Sequence, residues 1–278
     1  MKLTCIVDNY VEEVGFWGEW GLSFLVESRG RQVLFDTAQT PEVFMHNVKA
    51  LGLDLSGVDA LVLSHGHFDH TGGLAAALPK LRRVPLYLHP AAFRPRKHLT
   101  SKLEDIGMPI SRETLEAALD VRPEEKAVEV VPGVWTTGYI AERTYPDGGS
   151  KGLLAEVDGQ LVPDDYADDL SLVLDTGESL VLLCGCCHAG LLNTIAQVRR
   201  DFGRPISSII GGTHLGMSNP SAEYWRQIIA MLSDIGSPQL YLSHCSGFEA
   251  SLVLAQAFPG KVHGCSSGRV LRLSAAAG

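Results

Sequence analysis

The segment VDALVLSHGHFDHTGGL (residues 58–74) changes character at its midpoint. Residues 58–64 form an apolar run of strand length, the composition of a strand buried on both faces. The residues that follow place His65, His67, Asp69 and His70 within six positions. A loop leaving a buried strand holds its side chains at a sheet edge, where they can converge on one point. Imidazoles two positions apart can face the same way and take one ion, and the Asp69–His70 pair can take a second. Imidazole and carboxylate are borderline-to-hard donors, suited first to Zn²⁺ and also to Mn²⁺ or Fe. Three histidines and a carboxylate at this spacing argue against a chance cluster of solvated loop residues.

Upstream, KLTCIVD (2–8), LSFLVE (22–27) and QVLFDT (32–37) read as strands, the last two joined at Arg29-Gly30. Pro41 opens a helix whose Val43, Phe44, Val48 and Leu51 recur near helical spacing until Gly52. Downstream, a helix is expected over 72–81, stopped by Pro79, and a strand over 84–90. The second half repeats the alternation. A hairpin over 170–185 turns at Thr176-Gly177, and helices over 190–202, from Pro220 onward, and over 248–258 alternate with strands 206–212, 239–245 and 270–273. Strand pairs and helices in two similar halves predict an α/β (α+β) fold of two packed sheets covered by helices on their outer faces. Residues 91–150, with RPRK, several prolines and YPDGG, read as an insertion or lid within a single domain spanning 1–278.

With 278 residues, 45% of them apolar and 20% charged, the chain can bury a sizeable core. Six cysteines are too few for a disulfide scaffold. The N-terminal residues carry acids where a signal peptide needs an apolar core, and no apolar run reaches the roughly 18 residues that cross a bilayer. A cytoplasmic protein without a membrane partner is expected. A net charge of −9 argues against nucleic acid as the main partner but leaves room for a local anion site. Neither a phosphate-binding G-x-x-x-x-G-K-[ST] loop nor a G-x-S-x-G elbow is present, and Gly211-Gly212 alone does not make a dinucleotide site. Composition leaves the oligomeric state open.

LFDTA (34–38), SHGHFDHTGGL (64–74), GCCHAG (185–190) and SHCSG (243–247) resemble the metallo-β-lactamase superfamily. GCCHAGLLNTI (185–195), GGTHL (211–215), SHCSG and TTGYIAER (136–143) further resemble its dihydropterin-ribofuranosylaminobenzene 5'-phosphate synthase-like branch. The resemblance covers nearly the whole chain. It implies a four-layer αββα sandwich with one or two divalent metal ions at one edge. It also implies that His65, His67 and His188 hold the first ion, that Asp69, His70 and His244 hold the second, and that Asp36 orients ligands from behind. Asp69 and His214 are the candidates for catalytic duty, with His214 read as a substrate or phosphate contact or else as a structural histidine. The expected chemistry is that of a metal that lowers the pKa of a water and polarises the substrate. Hydrolysis of an ester, phosphoester or lactam is the generic outcome, whereas the branch implies a synthase acting on small pterin or phosphoribosyl-like anions. Two rivals remain: a non-catalytic metal or ligand sensor, and a flavodoxin-partnered di-iron oxygen or NO reductase. The second is disfavoured, because such chains carry more acidic ligands and the residues after 245 leave no room for a flavin domain.

The sequence departs from the superfamily pattern at Cys184-Gly185-Cys186-Cys187-His188. Many members carry there a Gly-Asp pair whose carboxylate bridges both metals. Asp69 is then the one acidic ligand, second-metal occupancy is in question, and an anionic substrate could supply the missing charge. Asp165, Asp168 or Asp169 could enter the shell. Cys186 and Cys187 are either thiolate ligands or small buried residues. Arg94, Arg96, Lys97 and His98 form either a solvated charged face or a lid bringing positive charge to an anionic substrate. Trp17 and Trp20 either cap the core or wall the pocket. His46, His89 and His263 read as structural or surface groups.

Overall fold

Alternation along each strand sends side chains into two different apolar layers. In Ser23–Ser28, Phe24 and Val26 face the layer between the two main sheets while Leu25 faces helices. Arg31–Phe35 sends Val33 and Phe35 to the inner layer and Leu34 to the outer one. Leu180–Cys184 sends Val181 and Leu183 inward and Leu180, Leu182 and Cys184 outward. Strands wanted by two layers must be apolar on both faces, which is why they read as continuous hydrophobic runs. Helix, sheet, sheet and helix stack in that order. The computed structural model describes residues 1–273.

The first sheet has seven strands, in the order Val270–Arg272, Lys2–Val7, Ser23–Ser28, Arg31–Phe35, Ala60–Val62, Pro85–Leu88 and Asp120–Pro123. The second, also of seven, runs Val262–Gly264, Gln239–Leu242, Ile206–Gly211, Leu180–Cys184, Ser171–Asp175, Val134–Thr136 and Glu129–Val131. In each sheet one half is antiparallel and the other parallel. The parallel strands are Arg31–Phe35 through Asp120–Pro123 in the first and Leu180–Cys184 through Val262–Gly264 in the second. Crevices beyond the carboxyl ends of parallel strands are where side chains from different crossovers meet.

Helix ends follow their local chemistry. Thr40 caps Pro41–Ala50 by accepting from Val43 N, Ser221 caps Ala222–Asp234 by accepting from Tyr224 N, and Gly203 ends Leu191–Phe202 in the left-handed region at φ 61°. The helix expected over 72–81 is instead two short turns, Phe68–Thr71 and Leu74–Ala77. Close packing against residues 37–39 admits only glycine at the junction, Gly72-Gly73. A Cβ on Gly72 would lie 1.8 Å from Gln39 O, and one on Gly73 would lie 2.1 Å from Thr37 O.

The stretch 91–150 is not one continuous insertion. Asp120–Pro123 closes the edge of the first sheet, and Glu129–Val131 and Val134–Thr136 close the edge of the second. Arg96–Leu99 and Leu103–Asp105 join Leu153–Val157 and Gln160–Pro163 in a separate four-stranded sheet beside the carboxyl ends. These short strands alternate weakly in sequence because most of their positions are partly exposed.

Candidate metal centre

Five segments arrive at one end of the sandwich. Asp36 follows Arg31–Phe35, residues 64–70 follow Ala60–Val62, and Cys186 to His188 follow Leu180–Cys184. His214 follows Ile206–Gly211, and His244-Cys245 follow Gln239–Leu242. Asp36, Cys187, His214 and His244 all hold left-handed backbone (φ 51–59°), a conformation that non-glycine residues rarely adopt and that turns each chain sharply into the site.

The structure brings the sequence-derived donors together in two triads. His65, His67 and His188 have ligand atoms within 4.8 Å of one another, and so do Asp69, His70 and His244. All six residues are buried. His65 Nε2 and His67 Nδ1 are 3.1 Å apart, close to the edge of about 3.3 Å expected for a tetrahedron of Zn–N bonds near 2.0–2.1 Å. Asp69 Oδ2 lies 3.4 Å from His244 Nε2 and 3.9 Å from His70 Nε2.

Partners behind the rings fix their tautomers. Asp36 Oδ2 accepts from Ser64 Oγ and from His70 Nδ1, each at 2.7 Å. With its proton given to Asp36, Ser64 Oγ accepts from His65 Nδ1 at 2.9 Å. His244 Nδ1 donates to Asn9 Oδ1 at 3.0 Å. The Nε2 atoms of His65, His70 and His244 are thereby turned toward the centre. Burial opposes a charge on His70, yet the carboxylates of Asp36 and Asp69 raise it to about 9, so an ion held there would have to displace its Nε2 proton. Burial, and after it the crowding of neighbouring imidazoles, holds His65 and His188 well below the usual histidine range, so both are neutral and free to ligate. Asp69 is held below the usual carboxylate range by His70 and His244 against the effect of burial.

His67 Nε2, both ring nitrogens of His188 and His244 Nε2 are buried without a hydrogen-bond partner. Leaving such groups unpaired costs about 1–3 kcal/mol each, and an ion would relieve His244 Nε2 and one nitrogen of His188, while His67, whose Nδ1 faces His65, keeps its Nε2 3.9 Å from Asp164 Oδ2. The donor set fits divalent ions, with three imidazoles at one position and two imidazoles and a carboxylate at the other. The residues are placed to hold metal ions.

Cys186 and Cys245 stand at the same centre, their sulfurs 3.4 Å apart, with Cys186 Sγ 3.2 Å from His70 Nε2. Burial works against ionisation of Cys245, but Cys186, His244 and the His214 N–H hold its thiol below the usual value, whereas burial and Cys245 push Cys186 up. Cys187 turns the other way, into the apolar layer behind the second sheet, and cannot be a ligand. Sequence reasoning missed Cys245, Asp8 and Asn9. Asp8 Oδ1 accepts from His244 N at 2.7 Å, and the only sequence signal was a polar pair ending the first strand.

The basic cluster is not a lid of free cations. Arg96 is fully buried, giving Nε to Asp164 at 2.8 Å and Nη2 to Asp168 at 2.5 Å. Arg94 pairs with Asp165, and Lys97 with Asp105. Of the four, His98 alone lines the pocket over the triads. Asp165, Asp168 and Asp169 do not join the ligand groups: Asp168 Oδ2 accepts from Gly66 N at 2.7 Å, and Asp169 Oδ2 accepts from Ala189 N at 2.9 Å. Trp17 stacks on His46 away from the pocket, whereas Trp20 forms part of its wall and tilts over His244 at 5.2 Å. His214 also faces the pocket, its Nδ1 buried and unpartnered and its ring 4.3 Å from that of His188. Burial, with the His244 and His67 rings, lowers it to about 3. His89 caps a short turn by accepting from Ala91 N, and His263 lies against Gln239.

Residues 21–148 match the family model of the metallo-β-lactamase superfamily. The chain is 29% identical to the 7,8-dihydropterin-6-methyl-4-(β-D-ribofuranosyl)-aminobenzene-5'-phosphate synthase of Methanocaldococcus jannaschii, covering 98% of this chain and 96% of that one. An uncharacterised protein of the same organism is 28% identical over 91% of this chain and 94% of its own. Among solved structures, a metal-dependent hydrolase of the β-lactamase superfamily superposes with a TM-score of 0.85 at 26% identity, covering 99% of this chain and 100% of that one. A diphosphatase of the PhnP family has the same fold, with a TM-score of 0.51 at 15% identity over 97% of this chain and 96% of its own.

Proposed function

The chain belongs to the metallo-β-lactamase superfamily, and from that premise we propose that it is a metal-dependent enzyme acting on a small anionic substrate of the pterin or ribosyl-phosphate kind. The observation that carries the reading is the pair of buried triads, with ring nitrogens left unpartnered, beneath a pocket open to solvent. The substrate class is supported by the synthase relative, which aligns over nearly the full length of both chains. A hydrolase acting on an ester of the same anionic class is the second reading, favoured by the solved metal-dependent hydrolase.

When bound, divalent ions would polarise the substrate and lower the pKa of a water in the pocket. His65, His67 and His188 would hold one ion, and Asp69, His70 and His244 the other. Asp36 and Asn9 keep the donor faces of His70 and His244 turned inward. His214 is neutral at physiological pH, so it serves a substrate oxygen as a hydrogen-bonding group and not as a counter-ion. Trp20, Leu153 and His98 line the same pocket and give a flat ring an apolar and aromatic wall.

The test combines elemental analysis with a substrate screen. Purified protein should contain a divalent transition metal, and His65→Ala with His67→Ala should remove most of it. Turnover of pterin and phosphoribosyl substrates should stop on chelation and return with metal. Equal metal in the double variant, or turnover indifferent to chelation, would overturn the reading. Metal and ligand binding without turnover of any pterin, phosphodiester, thioester or lactone would make the protein a sensor.

A further inference from the structure

Six cysteines are free and buried, but they do not share one environment. Cys5 and Cys265 pack in the apolar layer between the sheets, and Cys184 and Cys187 in the layer behind the second sheet. Cys186 and Cys245 belong to no apolar layer. Both sulfurs face the metal pocket.

We propose that Cys186 and Cys245 act as a thiol pair supplying sulfur ligands to the second ion, with Cys186 Sγ lying between the two ion positions. The inference rests on the metal-dependent reading above and extends it to the donor set. Cys186 groups with His65 and His70 within 4.8 Å, and also with His244 and Cys245. It therefore reaches a ligand of the first triad and two of the second. The two triads contain a single carboxylate, Asp69, to balance two dications. Each thiol that ligates an ion releases its proton to solvent and adds one negative charge where the charge is lacking.

The surroundings are shaped for sulfur. His214 N donates to Cys245 Sγ at 3.3 Å, a backbone dipole that favours a thiolate. A Cβ on Gly212 would come within 2.7 Å of Cys245 Sγ, so the absence of a side chain there makes room for the sulfur. With Zn–S near 2.3 Å and Zn–N near 2.0–2.1 Å, two donors that share one ion at a near-tetrahedral angle stand about 3.6 Å apart for S···N and about 3.8 Å for S···S. The distances found are 3.2 Å and 3.4 Å, in the same order. A sulfur-containing set should favour thiophilic ions such as Zn²⁺, Co²⁺ or Cd²⁺ over Mn²⁺ and Mg²⁺ at this position.

X-ray absorption at the zinc edge of the wild-type protein tests this without reference to turnover. A scattering shell at about 2.3 Å beside the nitrogen and oxygen shell is expected, along with a near-ultraviolet sulfur-to-cobalt band in the Co²⁺ form. Cys186→Ala with Cys245→Ala should abolish both signals and reduce the metal content from two ions to one per chain. Cys187→Ser, in the apolar layer, should leave both in place. Zinc bound by nitrogen and oxygen alone in the wild type would overturn this inference and leave the proposed function standing. Failure to bind any divalent ion would overturn both. Because the decisive spectrum is that of the wild type, a poorly folding variant would not blunt the test.

Discussion

The loop 64–70 and the loops 185–188 and 243–245 meet at one end of the sandwich, yet they are held on different plans. The first concentrates four donors in six residues and orients its rings through side chains, with Asp36 and Ser64 behind His65 and His70. The others spread their donors so widely that Cys186 and Cys245 are 59 positions apart. Carboxylates of other segments anchor all three by backbone N–H: Asp168 at Gly66, Asp169 at Ala189 and Asp8 at His244. What sets the compact loop apart is the buried charge directly behind its rings, whereas the dispersed loops meet only while the segments that carry them stay docked. A site can be rigid by either route, but the two routes fail under different perturbations.

The largest effect should come from Arg96, which neutralises Asp164 and Asp168 and, through Asp168, fixes Gly66 in the compact loop. Arg96→Met leaves two buried carboxylates unpaired, and breaking a buried pair in this way costs about 3–5 kcal/mol. Denaturant unfolding should register that loss, with weaker metal binding at His65 and His67. A loss under about 1 kcal/mol would place Arg96 among ordinary surface ion pairs and remove the contrast between the loops.

The dispersed side can be probed through Asp169, whose carboxyl is raised from 3.8 to about 7 by burial and by the nearby charge of Asp168. Between these values the folded protein holds a proton that the unfolded chain has released, so stability falls as pH rises through the window, by up to about 4 kcal/mol in total. Asn cannot ionise. The stability of Asp169→Asn relative to wild type, measured on metal-free protein, should therefore increase from pH 5 to pH 8. A difference independent of pH would mean that Asp169 stays charged in the fold.

Asp36→Asn keeps the size but removes the charge behind Ser64 and His70. Loss of such a supporting carboxylate lowers metal affinity by about 10–100-fold, read by competition with a chelating dye. Unchanged affinity would show that the compact loop needs no charge behind it. The smallest effect belongs to Arg94→Gln with Lys97→Gln, whose partners Asp165 and Asp105 are exposed. Stability should change by less than about 1 kcal/mol, and KM for phosphorylated substrates should not move. A selective rise in KM would restore the lid reading.

The same contrast explains what could be read in advance. HGHFDH is legible because its donors are local, and Pro41 because a helix start depends only on its own segment. Cys186 and Cys245 become neighbours only once Leu180–Cys184, Ile206–Gly211 and Gln239–Leu242 lie parallel and in register, and pairing register is not written in any one of these strands. Arg96 reads from sequence as a solvated or a lid cation because its counter-charges, Asp164 and Asp168, lie 68 and 72 residues away. Gly72 and Gly73 are there for a close approach to residues 37–39 that helical periodicity does not register, and the helix read over 72–81 is split beside them. Within 91–150, the edge strands carry too little alternation to stand out from a loop.

One pairing also sets an order of events during synthesis. Lys2↔Arg272 and Thr4↔Val270 join the first strand to the last described one, so the first sheet keeps an unpaired edge until residues 270–272 have left the ribosome. At about 5–20 residues per second, that interval lasts tens of seconds. Ser23–Ser28 and Arg31–Phe35 can pair early, because their contacts are local. The edge of Lys2–Val7, with Leu3, Cys5 and Ile6 destined for the core, stays open to chaperones or to another nascent chain throughout. The donors, drawn from residues 65 to 245, come together only when both sheets have docked, so an ion held by them would bind late and act mainly by slowing unfolding.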